Sequence, residues 1–131
     1  MGKLETTVNK AETLLQAHPK LRAFFGISAE CAPGAAAVVK ERGMAGKVVV
    51  AGFDDLPETL DHIRSGVVSF CLAQKTYVMG WLAVERLLDA IAGKTFPKVI
   101  DTGVVVVTKA NVDTYQADMR KEVAAMAAAH P

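Results

Sequence analysis

The sequence predicts an α/β fold built on a parallel sheet. Short apolar runs of strand length alternate with segments whose apolar residues recur at helical spacing, and Gly and Pro separate the two. This strand–helix alternation is typical of right-handed βαβ units. The strand runs are continuously apolar, as in sheets that helices cover on both faces. We therefore expect a three-layer α/β/α parallel sheet.

Composition limits the classes of function. The 131 residues are 51% hydrophobic and 22% charged, which is typical of a compact globular protein with a substantial core. A net charge of +1 provides no broad electrostatic surface for nucleic acid or for an anionic membrane, so we expect neither partner. No apolar run reaches the roughly 18 residues of a membrane span. The first residues do not resemble an export signal, so we expect either a cytosolic protein or a natural start that lies further upstream.

The first half of the chain should contain two helices and one strand. Apolar residues at helical spacing predict a helix over residues 4–17, which His18-Pro19 ends because the residue before proline avoids helical geometry. The aromatic run at residues 22–27 predicts the first strand. A second helix follows, with Pro33 in its first turn, where the missing N–H does no harm.

Two further strand–helix units should follow. The β-branched run at residues 47–53 predicts the second strand, and the spacing over residues 56–66 predicts a short helix. A third strand at residues 68–73 leads into a longer helix over residues 76–92. We expect the three strands to be parallel and in the spatial order 1-2-3. The tail, from "VIDTGVVVVTKANV" onward, predicts one or two more strands and then a segment of helix formers.

The two cysteines and the three histidines indicate no metal or disulfide site. Cys31 and Cys71 are too few and too distant in sequence for a zinc-type cluster or a disulfide framework. The strand order separates them by about two strand spacings of ~4.8 Å, beyond the ~7 Å Cα limit for a disulfide. Both thiols should be free. The histidines lack the spacing of a metal motif, so we expect no metal and no cofactor.

Enzyme motifs are incomplete. The stretch "GISAE", residues 26–30, partly matches a nucleophile elbow, but Glu30 stands where that turn needs glycine. Glycine-rich motifs for dinucleotides or nucleoside triphosphates are absent from the sequence. We assign no catalytic residue, although a small α/β enzyme that uses Asp54 or Ser28 remains an alternative.

Polar residues follow all three predicted parallel strands. Ser28, Asp54 and Gln74 come directly after the first, second and third strands. Open parallel sheets bind ligands outside the carboxyl ends of their strands. A carboxylate next to a carboxamide matches the hydrogen-bonding needs of vicinal hydroxyls. The alternative is that Asp54 or, more readily, Asp55 caps the helix that follows.

Four segments in order resemble the periplasmic sugar-binding proteins of ABC transporters, of the ribose-binding type. Their ligand lobes share a fold with lac-repressor-type regulators. The resemblance covers about residues 8–115 and is carried by "AETLLQAHPKLRAFFGISAECAPGAAAVVK", "VVVAGFDDLPETLDHIRSG", "FCLAQKTYVMGWLAVERLLDAIAGK" and "IDTGVVVVTKANVDTY". It implies an incomplete Rossmann-like lobe, with residues 1–131 forming the carboxyl-terminal lobe of a type I periplasmic binding protein.

The resemblance also implies site residues. In the family, a Phe-Asp pair after the second of these strands faces the sugar, which corresponds to Phe53 and Asp54. A glutamine at the crossover between lobes corresponds to Gln74. The family's Asn-Asp-Glu after the preceding strand is replaced here by Ser28, Ala29 and Glu30, so the contact at Ser28 is altered. An aromatic ring such as that of Phe53 suits the apolar C–H face of a sugar.

The function that the resemblance implies is sugar binding for an ABC importer, without catalysis. The ligand would be a monosaccharide or related polyol held between two lobes, of which this chain supplies one. The partners would be the sugar and a membrane permease, in the periplasm. The effector lobe of a lac-repressor-type regulator is the alternative. We also expect the first strand to have an unpaired edge and the tail valines to lack the lobe they would cross to, which favours a homodimer through the exposed sheet edge.

Overall fold

The computed structural model describes residues 3–129 and contains five helices and four strands within them. Three strands and all the predicted helices lie close to their expected positions. In chain order the elements are α1 Lys3–Ala17, β1 Ala23–Gly26, α2 Cys31–Glu41, β2 Val49–Phe53, α3 Pro57–Arg64, β3 Phe70–Gln74, α4 Thr76–Ile91, β4 Val104–Thr108 and α5 Tyr115–Ala129.

The four strands form one sheet in the order β1-β2-β3-β4. The pairs β1–β2 and β2–β3 are parallel, which confirms the predicted α/β class and the order of the first three strands. The fourth strand is antiparallel to β3, with Val104 opposite Gln74 and Thr108 opposite Phe70. The sheet is therefore mixed, and the valines of the tail form the further strand that the sequence predicted. The chain enters β4 through Gly103, which has a φ of 71° and donates its N–H to the Asp101 carboxylate at 2.8 Å.

The core lies between α2 and one face of the sheet. Gly26 and Gly52 allow this close approach: a Cβ on Gly26 would lie 2.5 Å from the Cβ of Cys31, and one on Gly52 would lie 2.7 Å from the Cβ of Ala32. Seven of the eleven residues of α2 are buried, namely Ala32, Pro33, Gly34, Ala35, Ala36, Val38 and Val39.

The other face of the sheet is not covered in the same way. Burial alternates along β1, β3 and β4, and Phe25, Val49, Val104 and Val106 are all about half exposed. Among the described residues, this second face of the sheet is therefore the more exposed of the two.

Helix α4 is apolar yet contains no buried residue. Its side chains Leu87, Leu88 and Ile91 are 61%, 61% and 76% exposed. The segment after it also exposes Phe96 and Val99. No helix among residues 3–129 has the length and hydropathy to cross a membrane.

Both cysteines are free, as predicted. Cys71 is fully buried in β3, whereas Cys31 at the start of α2 is half-buried. Burial, and then the negative charges of Asp55 and Asp54, raise the pKa of the Cys71 thiol to about 11. Cys71 is thus an inert core thiol.

Candidate functional site

The carboxyl ends of β2 and β3 bring Asp54 and Gln74 together. The two strands are parallel, with Phe53 opposite Leu72, so both chains leave the sheet at the same edge. The Gln74 side-chain amide Nε2 donates a hydrogen bond to Oδ1 of Asp54 at 2.8 Å. The sequence predicted this proximity from strand order alone, and the structure confirms it.

The backbone of Asp54 is unusual. It is the one non-glycine residue with positive φ among residues 3–129, at 66°. Aspartate visits this left-handed region more readily than most residues, at a cost on the order of 1 kcal/mol. Its N–H donates to the carbonyl oxygen of Leu72 at 3.0 Å, which continues the β2–β3 ladder past the end of β2. The turn places the carboxylate beside Gln74.

Asp55 does not cap the following helix. Leu56 occupies the N-cap position of α3, which has no side-chain cap. Instead, the hydroxyl of Tyr115 donates to Oδ2 of Asp55 at 2.6 Å. Tyr115 is only 3% exposed, and burial together with this hydrogen bond to a carboxylate raises the pKa of its phenol. Sequence reasoning missed Tyr115, since no local pattern links residues 60 positions apart.

Phe53 provides an aromatic surface next to Asp54. Its half-buried ring meets that of Phe25 edge to face, with centroids 6.0 Å apart and an interplanar angle of 79°. This contact joins the carboxyl-terminal residues of β1 and β2 on the more exposed face of the sheet. A partly exposed ring of this kind can cover an apolar C–H face of a ligand.

Ser28 and Glu30 lie apart from the Asp54–Gln74 pair in their contacts. Ser28 is exposed, and its hydroxyl lies 3.1 Å from the sulfur of Cys31. Glu30 occupies the N-cap position of α2 without a side-chain cap. The structure thus places both residues after β1, as predicted, but their described contacts are local to the start of α2.

The arrangement suits neutral polyhydroxylated ligands. A carboxylate accepts more than the one hydrogen bond that Gln74 donates, and the carboxamide keeps a second donor and an acceptor. Phe53, Asp54 and Gln74 are all half-buried, so they form an open shelf. A groove of 260 Å³ between α1 and β1 is a separate, mainly apolar feature, lined by Phe24 and Ile27 among others. Within residues 3–129, no three His, Cys, Asp or Glu side chains group as a metal site would require.

Known proteins share this sequence and fold. The periplasmic binding protein domain family matches residues 1–95. The ribose import binding protein RbsB of Bacillus subtilis is 35% identical over 89 residues, which cover 68% of this chain and 28% of that protein.

Solved structures of sugar-binding proteins have a similar fold. An ABC transporter solute-binding protein from Burkholderia graminis, in complex with D-arabinose, is 42% identical with a TM-score of 0.77, covering 86% of this chain and 40% of that one. A solute-binding protein from Agrobacterium vitis with bound D-fucose is 34% identical with a TM-score of 0.77, covering 88% of this chain and 40% of that one.

The chain spans less than a third of the length of the curated relatives it matches, 28–29% in two of them. The family match covers most of the chain, and the solved structures share both its fold and more than a third of its aligned residues. The chain belongs to the periplasmic binding protein domain family.

Proposed function

We propose that this chain is one lobe of the sugar-binding protein of an ABC importer, and that Phe53, Asp54 and Gln74 are its share of the sugar site. The observation that carries the proposal is the Asp54–Gln74 hydrogen bond of 2.8 Å at the carboxyl ends of two adjacent parallel strands. It occurs in a chain whose relatives include a ribose import binding protein and proteins with bound D-arabinose and D-fucose.

Each of the three side chains would make a different kind of contact with the sugar. The Asp54 carboxylate accepts hydrogen bonds from hydroxyls, and the Gln74 carboxamide both donates and accepts. Phe53 covers an apolar C–H face. Ser28 and Glu30 stay in the proposed site as lesser contributors, because Ser28 is exposed and Glu30 lies at the start of α2.

The apolar face of α4 supports a two-lobed protein. Large apolar side chains exposed together on one helix mark an interaction site, and α4 exposes Leu87, Leu88 and Ile91. The matched relatives are about two to three times as long as this chain, so they have further structure to place there. We propose that the rest of the protein covers α4 and closes over the shelf, with the sugar between the lobes.

Transport is favoured over the other two functions. A regulator's effector lobe has the same fold, but the relatives and neighbours described above are named as import or transporter binding proteins. Enzyme chemistry has no comparable support, and we propose a binding role without catalysis. The protein would then work in the periplasm and deliver its sugar to a membrane permease.

The lone lobe should bind weakly. Hydrogen bonds exposed to water contribute about 1 kcal/mol net, because they replace bonds to solvent. Immobilising a ligand costs at least about 4 kcal/mol. We therefore expect dissociation constants in the millimolar range for this chain, and tighter binding once a second lobe excludes water.

The test is a titration of the ¹⁵N-labelled chain with a panel of pentoses and hexoses, followed by amide NMR shifts. The expected result is a saturable response at Phe53, Asp54 and Gln74 for at least one sugar. A response centred on the groove between α1 and β1, or none at these three residues, would contradict the proposal.

The edge of the sheet at β1 supports a further proposal, that the chain forms homodimers. In the described sheet β1 has a strand on one side only. Unpaired edges recruit other strands. Light scattering should find a dimer at high concentration that Ala23→Pro converts to monomer, because the parallel register with β2 directs the Ala23 N–H toward the free edge. A monomer for the unchanged chain at high concentration would contradict it.

A further inference from the structure

The segment that leads into α5 is held by several contacts to the rest of the chain. Asn111 accepts a hydrogen bond from the Thr108 N–H at 2.7 Å and donates one to the Val106 carbonyl at 3.0 Å. The Arg64 guanidinium bonds to the Asp113 carboxylate at 2.8 Å. Val112 is 3% exposed and belongs to the hydrophobic core. These contacts determine where α5 begins, and Tyr115 is its first residue.

Tyr115 in turn holds the residue next to the proposed ligand carboxylate. Its hydroxyl donates to Oδ2 of Asp55 at 2.6 Å, and the amide Nε2 of Gln116 lies 3.3 Å from the same hydroxyl. Asp55 is otherwise an exposed residue in a turn. Without the hydrogen bond, its backbone would have little to restrain it.

Asp54 needs such restraint. Its φ of 66° is a sparsely populated conformation. Such a conformation persists only where surrounding contacts hold it in place. On its N-terminal side, the Asp54 N–H donates a hydrogen bond to the carbonyl oxygen of Leu72 in β3. On its C-terminal side, the Tyr115–Asp55 hydrogen bond restrains the next residue. Contacts on both sides therefore restrain the backbone of Asp54.

We infer that Tyr115 is a positioning residue for the proposed sugar site, acting through Asp55 to hold Asp54 in the conformation that meets Gln74. The inference rests on the proposed function of Asp54. Tyr115 itself lies beyond residues 1–95, which the family match covers. The proposed site therefore depends in part on Tyr115, which comes after the matched part of the chain and acts through Asp55.

Tyr115→Phe is the direct test, because it removes one hydroxyl and keeps the buried ring. The first readout is the side-chain amide resonance pair of Gln74 in the sugar-free chain. It should move toward the position of an unbonded carboxamide. The second readout is the dissociation constant for the best sugar of the panel, which should rise about fivefold, as for the loss of one hydrogen bond.

Val38→Ala is the matched control. Val38 is 1% exposed in α2, so this variant loosens the core without altering the segment that holds Tyr115, and it should lower the thermal stability and leave both readouts unchanged. Asp55→Asn is the conservative partner variant, since it keeps an acceptor oxygen, and it should give smaller changes than Tyr115→Phe. It also serves if Tyr115→Phe does not fold.

Unchanged Gln74 resonances in Tyr115→Phe, or equal changes in Val38→Ala, would overturn the positioning role. The Gln74 readout needs no ligand. A failure of the wild-type chain to respond to any sugar at Asp54 would therefore overturn the proposed function alone, while the resonances would still decide whether Tyr115 positions Asp54.

Discussion

The ends of β2 and β3 hold their polar side chains in place, whereas the end of β1 does not. At the first site, Gln74 bonds to Asp54 at 2.8 Å and Tyr115 bonds to Asp55 at 2.6 Å. At the second, Ser28 is exposed and contacts only its close neighbour Cys31 in the described structure. Preorganised groups lose less entropy when a ligand binds. We therefore expect the ends of β2 and β3 to contribute most of the binding energy of the proposed sugar site.

The largest expected contrast is between the two thiols, one at each region. Iodoacetamide should modify Cys31 at least about a hundredfold faster than Cys71, which reacts only when the chain opens. The pKa of Cys71 is raised to about 11, so its thiolate forms only as the pH approaches that value. Raising the pH from neutral to about 9 should therefore leave the modification of Cys71 slow. Peptide mass spectrometry gives both rates, and equal rates would mean that β3 is not buried.

Replacing Asp54 should have the largest effect on the proposed function. Asp54→Ala removes a charged hydrogen-bonding group, worth about 1.5–3 kcal/mol, so sugar affinity should fall at least about tenfold. It also places alanine at a φ of 66°, which should lower the free energy of unfolding by about 1 kcal/mol.

Asp54→Gly separates the two effects of that change. Glycine adopts positive φ without strain, so this variant should lose the affinity but recover the part of the stability that the strain costs. The NMR titration and chemical denaturation measure the two quantities. Affinity retained in both variants would remove Asp54 from the site.

Gln74 should contribute less than Asp54. Gln74→Ala should weaken sugar binding about fivefold, because one donor–acceptor group and the support of the Asp54 carboxylate are lost. Gln74→Glu should be worse at neutral pH, because two carboxylates at this distance repel each other. It should improve as the pH falls, since like charges raise the pKa of one carboxyl and the shared proton restores the hydrogen bond. Affinity independent of pH in this variant would show that the two side chains do not meet in solution.

The smallest effects should come from the end of β1. Ser28→Ala and Glu30→Ala should each change sugar affinity by less than about twofold, because neither removes a preorganised contact. Calorimetric or NMR titrations at matched sugar concentrations suffice. A loss comparable to that of Asp54→Ala would reverse the comparison and assign Ser28 or Glu30 a direct ligand contact.

Much of the site's framework follows from the sequence because it depends on local pattern. Apolar runs and turn residues located β1, β2 and β3, and parallel strands in this order must end at one edge, so Asp54 and Gln74 had to emerge near each other. The direction of β4 did not follow, since a run of valines pairs equally well either way. Its place on the free edge of β3 is a tertiary result.

The Tyr115–Asp55 hydrogen bond and the exposed face of the sheet could not be predicted from the sequence, because neither leaves a local pattern. A hydrogen bond between residues 60 apart leaves no periodic trace in the sequence. Continuous apolar strands indicate that both faces of the sheet are buried. They do not identify the residues that bury them. The exposed Phe25, Val49 and Val106 show the difference.

The most direct test of the account is a parallel sugar titration of three chains, the wild type, Asp54→Asn and Ser28→Ala. Asn keeps the size of the side chain and tolerates the left-handed backbone, so Asp54→Asn removes little except the charge. We expect Ser28→Ala to bind within about twofold of the wild type and Asp54→Asn to bind about tenfold more weakly. Equal affinity of Asp54→Asn and the wild type, or a greater loss in Ser28→Ala, would contradict the assignment of the sugar site to the ends of β2 and β3.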